Sequence, residues 1–168
     1  MITKIYYDKD KGVRYISDTG PLPPENNLNN NEFSFSRFSG NAEYYIVHTE
    51  NGRQICEKRY EGRFENGKYN GQGKLTYASG AVYNGNFENG KPNGFGKLTG
   101  ANGNVCKGRF EDGKIVEGKV IYKNGSVHKE YEGEFNDNKF NGQGTLYGNQ
   151  LRFRGQFNNG KKMSGISY

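Results

Sequence analysis

The chain has 168 residues, and few of them could act as nucleophiles or proton carriers. His48 and His128 are the only histidines, and neither sits in a metal-ligand or catalytic-triad spacing. His48 alternates with strand residues and reads as surface-facing, and His128 reads as part of a solvated loop tip. Cys56 and Cys106 are 50 residues apart with no CxxC, which argues against a disulfide framework or zinc site. Reduced thiols in an intracellular protein are the expectation, with Cys106 a small buried apolar side chain. Gly71-Gln72-Gly73 and Gly94-Phe95-Gly96 have the glycines of a phosphate loop. They lack the following helix and the GK[ST] ending that such a loop needs. The residues thus offer no catalytic, metal or cofactor site, and neither an enzyme nor a small-molecule substrate is expected.

The periodic chemistry is cationic. Lys68, Lys91, Lys114, Lys139 and Lys161 recur at equivalent positions, joined by Lys162, and Lys74, Lys97 and Lys119 form a second row. Rows about 9–10 Å apart, two strand spacings, could meet anionic headgroups. The candidate anion-binding set is Lys68, Lys91, Lys114, Lys161 and Lys162. A solvated face that keeps the chain soluble is the competing explanation, since Glu65, Glu88 and Glu111 partly cancel the field. The net charge of +6 lies entirely in residues 60–168, because bases and acids balance in residues 1–59. Acids are interleaved with bases throughout, so nucleic acid is disfavoured as a partner.

What positions these residues is a repeat. Hydrophobic residues are only 32% of the chain and mean hydropathy is −1.02, a composition near that of disordered chains. Against disorder stand 13 tyrosines and 11 phenylalanines, since each buried ring removes about 150–250 Å² from water. From Tyr60 the chain reads YEGRFENGKYNGQGKLTYASGAV, and from Tyr83 YNGNFENGKPNGFGKLTGANGNV. Further units begin at Cys106, Tyr131 and Phe153, the last cut short. The third is one residue shorter in its loop and is followed by a three-residue insertion, His128 to Glu130.

Each unit reads as a β-hairpin. Alternation puts Tyr60, Gly62 and Phe64 on one face, as it does Tyr83, Gly85 and Phe87; Gly108 and Phe110; and Tyr131, Gly133 and Phe135. Asn66-Gly67, Asn89-Gly90, Asp112-Gly113, Asp137-Asn138 and Asn159-Gly160 supply the positive φ of tight turns. Second turns follow at Ala78-Ser79-Gly80, Ala101-Asn102-Gly103 and Lys123-Asn124-Gly125. Glycine inside a strand costs backbone entropy. Gly62, Gly85, Gly108, Gly133 and Gly155 are therefore structural, leaving room for rings to cross the backbone and stack.

The pattern YxGxFxxGxxxGxG, followed by Leu and a later Gly, resembles the MORN (membrane occupation and recognition nexus) repeat. The resemblance covers residues 60–168. It departs from the pattern at Cys106, at Glu117-Gly118 and at Ser164-Gly165. It implies an all-β fold, an elongated single antiparallel sheet of consecutive hairpins. It also implies tethering, scaffolding or dimerising, in proteins attached to membranes, cilia or cytoskeletal structures.

Residues 1–59 read as an N-terminal β-rich cap, with a separate flexible arm as the alternative. Within it, residues 4–16 read as a hairpin, 20–32 as a Pro/Asn-rich loop, and 33–59 as two or three strands or worn repeats around an Asn51-Gly52 turn. The charged N-terminus reads as neither signal peptide nor membrane span. The functional expectation is a cytoplasmic scaffold that presents an edge at Phe153, Phe157 and Tyr168 to a protein partner or second copy. A peripheral adaptor for anionic lipid or phosphoinositide is the alternative.

Overall fold

The structure, a computed structural model, describes residues 3–10, 12–17, 37–123 and 128–168. The described strands are β1 (Thr3–Asp8), β2 (Val13–Ser17), β3 (Gly40–Glu50), β4 (Arg53–Glu65), β5 (Lys68–Thr76), β6 (Val82–Glu88) and β7 (Lys91–Thr99). Then follow β8 (Val105–Glu111), β9 (Lys114–Ile121), β10 (His128–Asn136), β11 (Lys139–Gly148), β12 (Arg152–Asn158) and β13 (Lys161–Ser167). They form one open sheet of consecutive hairpins, the fold class the repeats predict. Two compact units divide the chain, Met1–Thr76 with Phe87–Gly90, and Tyr77–Asn86 with Lys91–Tyr168. Residues 20–32 and the Asn124-Gly125 part of the third linking turn lie outside the described residues.

The turns take the conformation their residues dictate. Both central residues have positive φ at Asn66-Gly67 (48° and 71°), Asp137-Asn138 (48° and 59°) and Asn159-Gly160 (50° and 81°). That is the turn whose twist matches the flanking strands. Three of the hairpins are also tied through their turns to the one before. The amide of Gly90 donates to the Tyr69 carbonyl at 2.9 Å, Gly113 to Pro92 at 2.8 Å, and Gly160 to Phe140 at 2.9 Å.

In the first unit the strand order is β2-β1-β3-β4-β5. β4 runs unbroken through residue 60, so the leading strand of the first repeat is also the return strand of the Asn51-Gly52 hairpin. β1 pairs in parallel with β3, an exception to the antiparallel rule. The reason is topological: β2 ends where β1 began, so a strand leaving it and laid beside β1 runs the same way. Burial here is two-sided. Ile5 and Tyr6 are neighbours on opposite faces of β1, yet both are buried. Tyr6 stacks on Tyr45 at 5.1 Å, while Ile5 pairs with Tyr44 on the face that carries Tyr60 and Phe64.

The repeat face is built from rings lying on glycine pairs. Gly62 pairs with Gly73 and Gly133 with Gly144. A Cβ at Gly73 would lie 2.3 Å from the Tyr60 hydroxyl, and one at Gly144 would lie 2.3 Å from that of Tyr131. Within the second unit the register carries glycine from strand to strand, through Gly96, Gly108, Gly118, Gly133, Gly144, Gly155 and Gly165. Tyr131 stacks on Phe140 at 3.8 Å and 10°, and Phe157 of the following hairpin meets it edge-on at 5.1 Å. Tyr60 and Tyr69 repeat the stack at 3.8 Å in the first unit.

The Gly-x-Gly motif has two separate tasks. Its second glycine lies under the ring. Its first, Gly71 or Gly142, has φ of 67° or 60° and makes a bulge with two extra residues on the return strand. The third and fifth hairpins insert one residue there, Val116 and Met163, with no positive φ, so their motif is shorter.

Candidate functional site

The last hairpin carries an open edge. β13 pairs with β12 on one side, and every residue of β13 is exposed. Met163 is 63% exposed and Ile166 67%. The amide and carbonyl of Tyr168 both bond to Arg152, at 2.9 and 2.8 Å. Antiparallel pairing alternates, so Ser167 turns its amide and carbonyl away from β12. The expected edge residues Phe153 and Phe157 are instead buried on the ring-bearing face of β12. Of the strands in the expected edge region, β12 is covered on both sides and β13 pairs on one side alone among the described residues. Tyr168 is exposed, with the Arg152 guanidinium 5.5 Å from its ring centre and 5.0 Å from that of Tyr147.

The turn lysines are exposed and partly engaged. Lys91 bonds to Asp112 at 2.7 Å, and Lys114 to Asp137, so each lysine reaches the acid in the next hairpin's turn. Asp112 is held below the usual carboxylate range by the hydrogen bond from Lys91, and Asp137 likewise by Lys114. The turn aspartates Asp112 and Asp137 thus neutralise two lysines of this row. Lys68 and Lys161 stand where the next turn offers asparagine or no further turn in the sequence given. Lys162 lies on the opposite face, its ammonium 4.9 Å from the Phe153 ring centre.

A second cationic feature lies on the face away from the rings. Lys97 pairs with Lys107, and Lys107 with Lys119. Lys119 is bound to Glu130 at 2.8 Å and Glu132 at 3.2 Å. Lys97 and Lys107 face each other with no acid between them, an arrangement that is itself unfavourable. Beside them Phe95 is 71% exposed. Sequence reasoning named Phe95 only as the middle of a Gly-x-Gly. The available signal was that Gln72 and Gln143 occupy the same position in the first and fourth repeats.

Neither thiol is activated. Burial pushes Cys106 up to about 11 and raises Cys56 as well. Among the described residues no cluster of histidine, cysteine and acids could hold a metal. His128 opens β10 rather than sitting at a loop tip, because the three-residue insertion extends the strand. No described helix is long and apolar enough to cross a membrane.

The family model of the MORN repeat matches residues 60–82, 83–105 and 131–151. These are the hairpins with a leading tyrosine and a full Gly-x-Gly. No curated protein matches the chain.

Proposed function

The chain is a MORN-repeat protein, and from that premise we propose that it is a non-enzymatic scaffold that binds another protein by strand addition at β13. MORN repeats are in general non-catalytic modules that engage proteins or lipids. The observation that carries the reading is the unpaired edge of β13, where Ser167 presents its backbone outward beside exposed Met163 and Ile166. An open edge with apolar side chains is a template for another strand. A second copy of the chain fits it first, because two β13 strands related by a two-fold axis run antiparallel, continuing the alternation of the hairpins.

Light scattering after size exclusion tests this. Ser167→Pro removes an outward amide without touching the β12 ladder, so a dimer should become a monomer of unchanged thermal stability. A wild-type chain that is monomeric at all concentrations and recovers no partner in pull-down would sink the reading.

A second reading rests on the facing lysines Lys97 and Lys107 and the exposed ring of Phe95. Here the sheet face is a peripheral adaptor for anionic lipid, the lysines meeting headgroups and Phe95 entering the interface. In both readings the chain acts peripherally, at a membrane surface or on a cytoskeletal or ciliary structure. Liposome flotation across a salt series decides. Binding indifferent to salt, or retained after Lys97 and Lys107 are both changed to Glu, excludes this face.

A further inference from the structure

The second unit holds a cleft of about 510 Å³ that neither reading uses. It lies beside the loop between β11 and β12, lined by His128, Leu146, Gly148, Gln150, Leu151 and Lys162, and also by Asn149. Its size falls within the usual range for small-ligand sites.

Lys162 is the anomaly there. The same position of the hairpin carries Tyr69 in the first repeat and Phe140 in the fourth, rings that stack on the leading tyrosine. In the fifth repeat an ammonium replaces the ring. Its register partner is the buried Phe157, so the lysine stem starts on the ring-bearing face and runs across Phe153. Among the described residues no carboxylate pairs with it. The apolar wall is equally out of place. Leu151 is 67% exposed at the mouth of the cleft, beside buried Leu146. A cation and two leucines thus converge on one concavity.

We propose that this cleft binds a small amphipathic carboxylate, its head met by the Lys162 ammonium and its hydrocarbon part laid against Leu146 and Leu151. A charged donor and an apolar wall together favour a ligand that has both parts, and disfavour one that has only one of them.

Octanoate, octanol and inorganic phosphate titrated separately into the isotopically labelled full chain test the assignment. Octanoate should shift the amides of Leu146, Gly148 and Leu151. Octanol should bind at least about tenfold more weakly, since it lacks the charge that Lys162 meets. Phosphate should leave these amides in place. Lys162→Met should cost octanoate at least about tenfold, because the charged contact is lost while the stem is kept. Leu151→Ser should weaken octanoate binding without altering the melt, and Lys161→Met should change nothing. The proposal fails if octanoate does not move the cleft amides, if octanol matches it, if phosphate alone produces the same shifts, or if Lys162→Met binds as the wild type does.

Discussion

The hydroxyl of Tyr131 donates to the carbonyl of Glu134 at 2.9 Å, next to the bulge that Gly142 makes on the facing strand. Tyr60 does the same to Arg63 at 2.9 Å, and Tyr83 to Asn86 at 3.1 Å. These are the hairpins with a positive-φ glycine at the first Gly of Gly-x-Gly. Where the bulge has one extra residue, the leading residue is Cys106 or Phe153 and carries no hydroxyl. The tyrosine and the glycine motif are therefore one device. The ring needs the glycine pair beneath it, and the wide bulge presents a carbonyl for its hydroxyl.

The ring and the glycine should be energetically coupled. Gly144→Ala places a Cβ 2.3 Å from the Tyr131 hydroxyl in a side chain that is fully buried. It should cost about 2–3 kcal/mol in urea unfolding, the range of an overpacked core. In a Tyr131→Ala background the obstruction is gone, so the same substitution should cost at least about 1 kcal/mol less. Additive costs would show that the ring does not need the glycine.

The third hairpin has the glycine pair Gly108 and Gly118 with a cysteine in place of the leading ring. Cys106→Phe should stabilise the chain by about 1 kcal/mol, the added worth of an aromatic packed against its neighbours. Cys106→Tyr should gain less, because the short bulge at Val116 has no matching carbonyl for a hydroxyl. Melts of the two variants separate the effects; a tyrosine that outperforms phenylalanine would refute the link between hydroxyl and bulge width.

The hairpins were legible because their determinants are local. Asn66-Gly67 and its equivalents set the turns, and alternation around Gly62 or Gly133 sets the faces. Gly73 and Gly144 were harder to interpret, since their role depends on the partner across the hairpin rather than on their own strand. The parallel β1–β3 pair and the two-sided burial of Ile5 and Tyr6 leave no trace in a local pattern. The ion pair of Lys91 with Asp112 spans 21 residues and emerges only when hairpins are stacked in register. The burial of Phe153 and Phe157 is hidden for a similar reason, because it depends on rings and strands packed beside β12 rather than on the alternation of β12 itself.

Alkaline pH should unfold the repeats through their tyrosines. Burial pushes Tyr83 and Tyr131 up to about 12 and raises Tyr60 and Tyr69 as well. The folded state thus holds these protons more tightly than the unfolded chain, whose tyrosines titrate near ~10. Their contribution is complete below pH ~10 and is lost as pH rises from there towards 12. Urea midpoints should be flat from pH 8 to 9.5 and fall between 10 and 11.5, and the fall should be shallower in Tyr131→Phe, which has one such proton fewer. Equal slopes in the two proteins would show that tyrosine ionisation is not the cause.

The turn aspartates set how much positive charge the hairpin row presents. Asp112 and Asp137 each hold a lysine from the preceding turn, Lys91 and Lys114. All four groups are solvent-exposed, so the pairs contribute little to folding, and removing the acids should leave the melt unchanged. The effect on an anionic surface is different. Asp112→Asn with Asp137→Asn releases two lysines and raises the net charge by two. One released lysine near an anionic membrane is worth roughly fivefold in affinity, so flotation with phosphatidylserine vesicles at low salt should gain by at least that factor. The gain should vanish at high salt, where exposed charges are screened. Vesicle binding that ignores the double substitution at low salt would remove Lys91 and Lys114 from any membrane contact and turn attention to the facing pair Lys97 and Lys107.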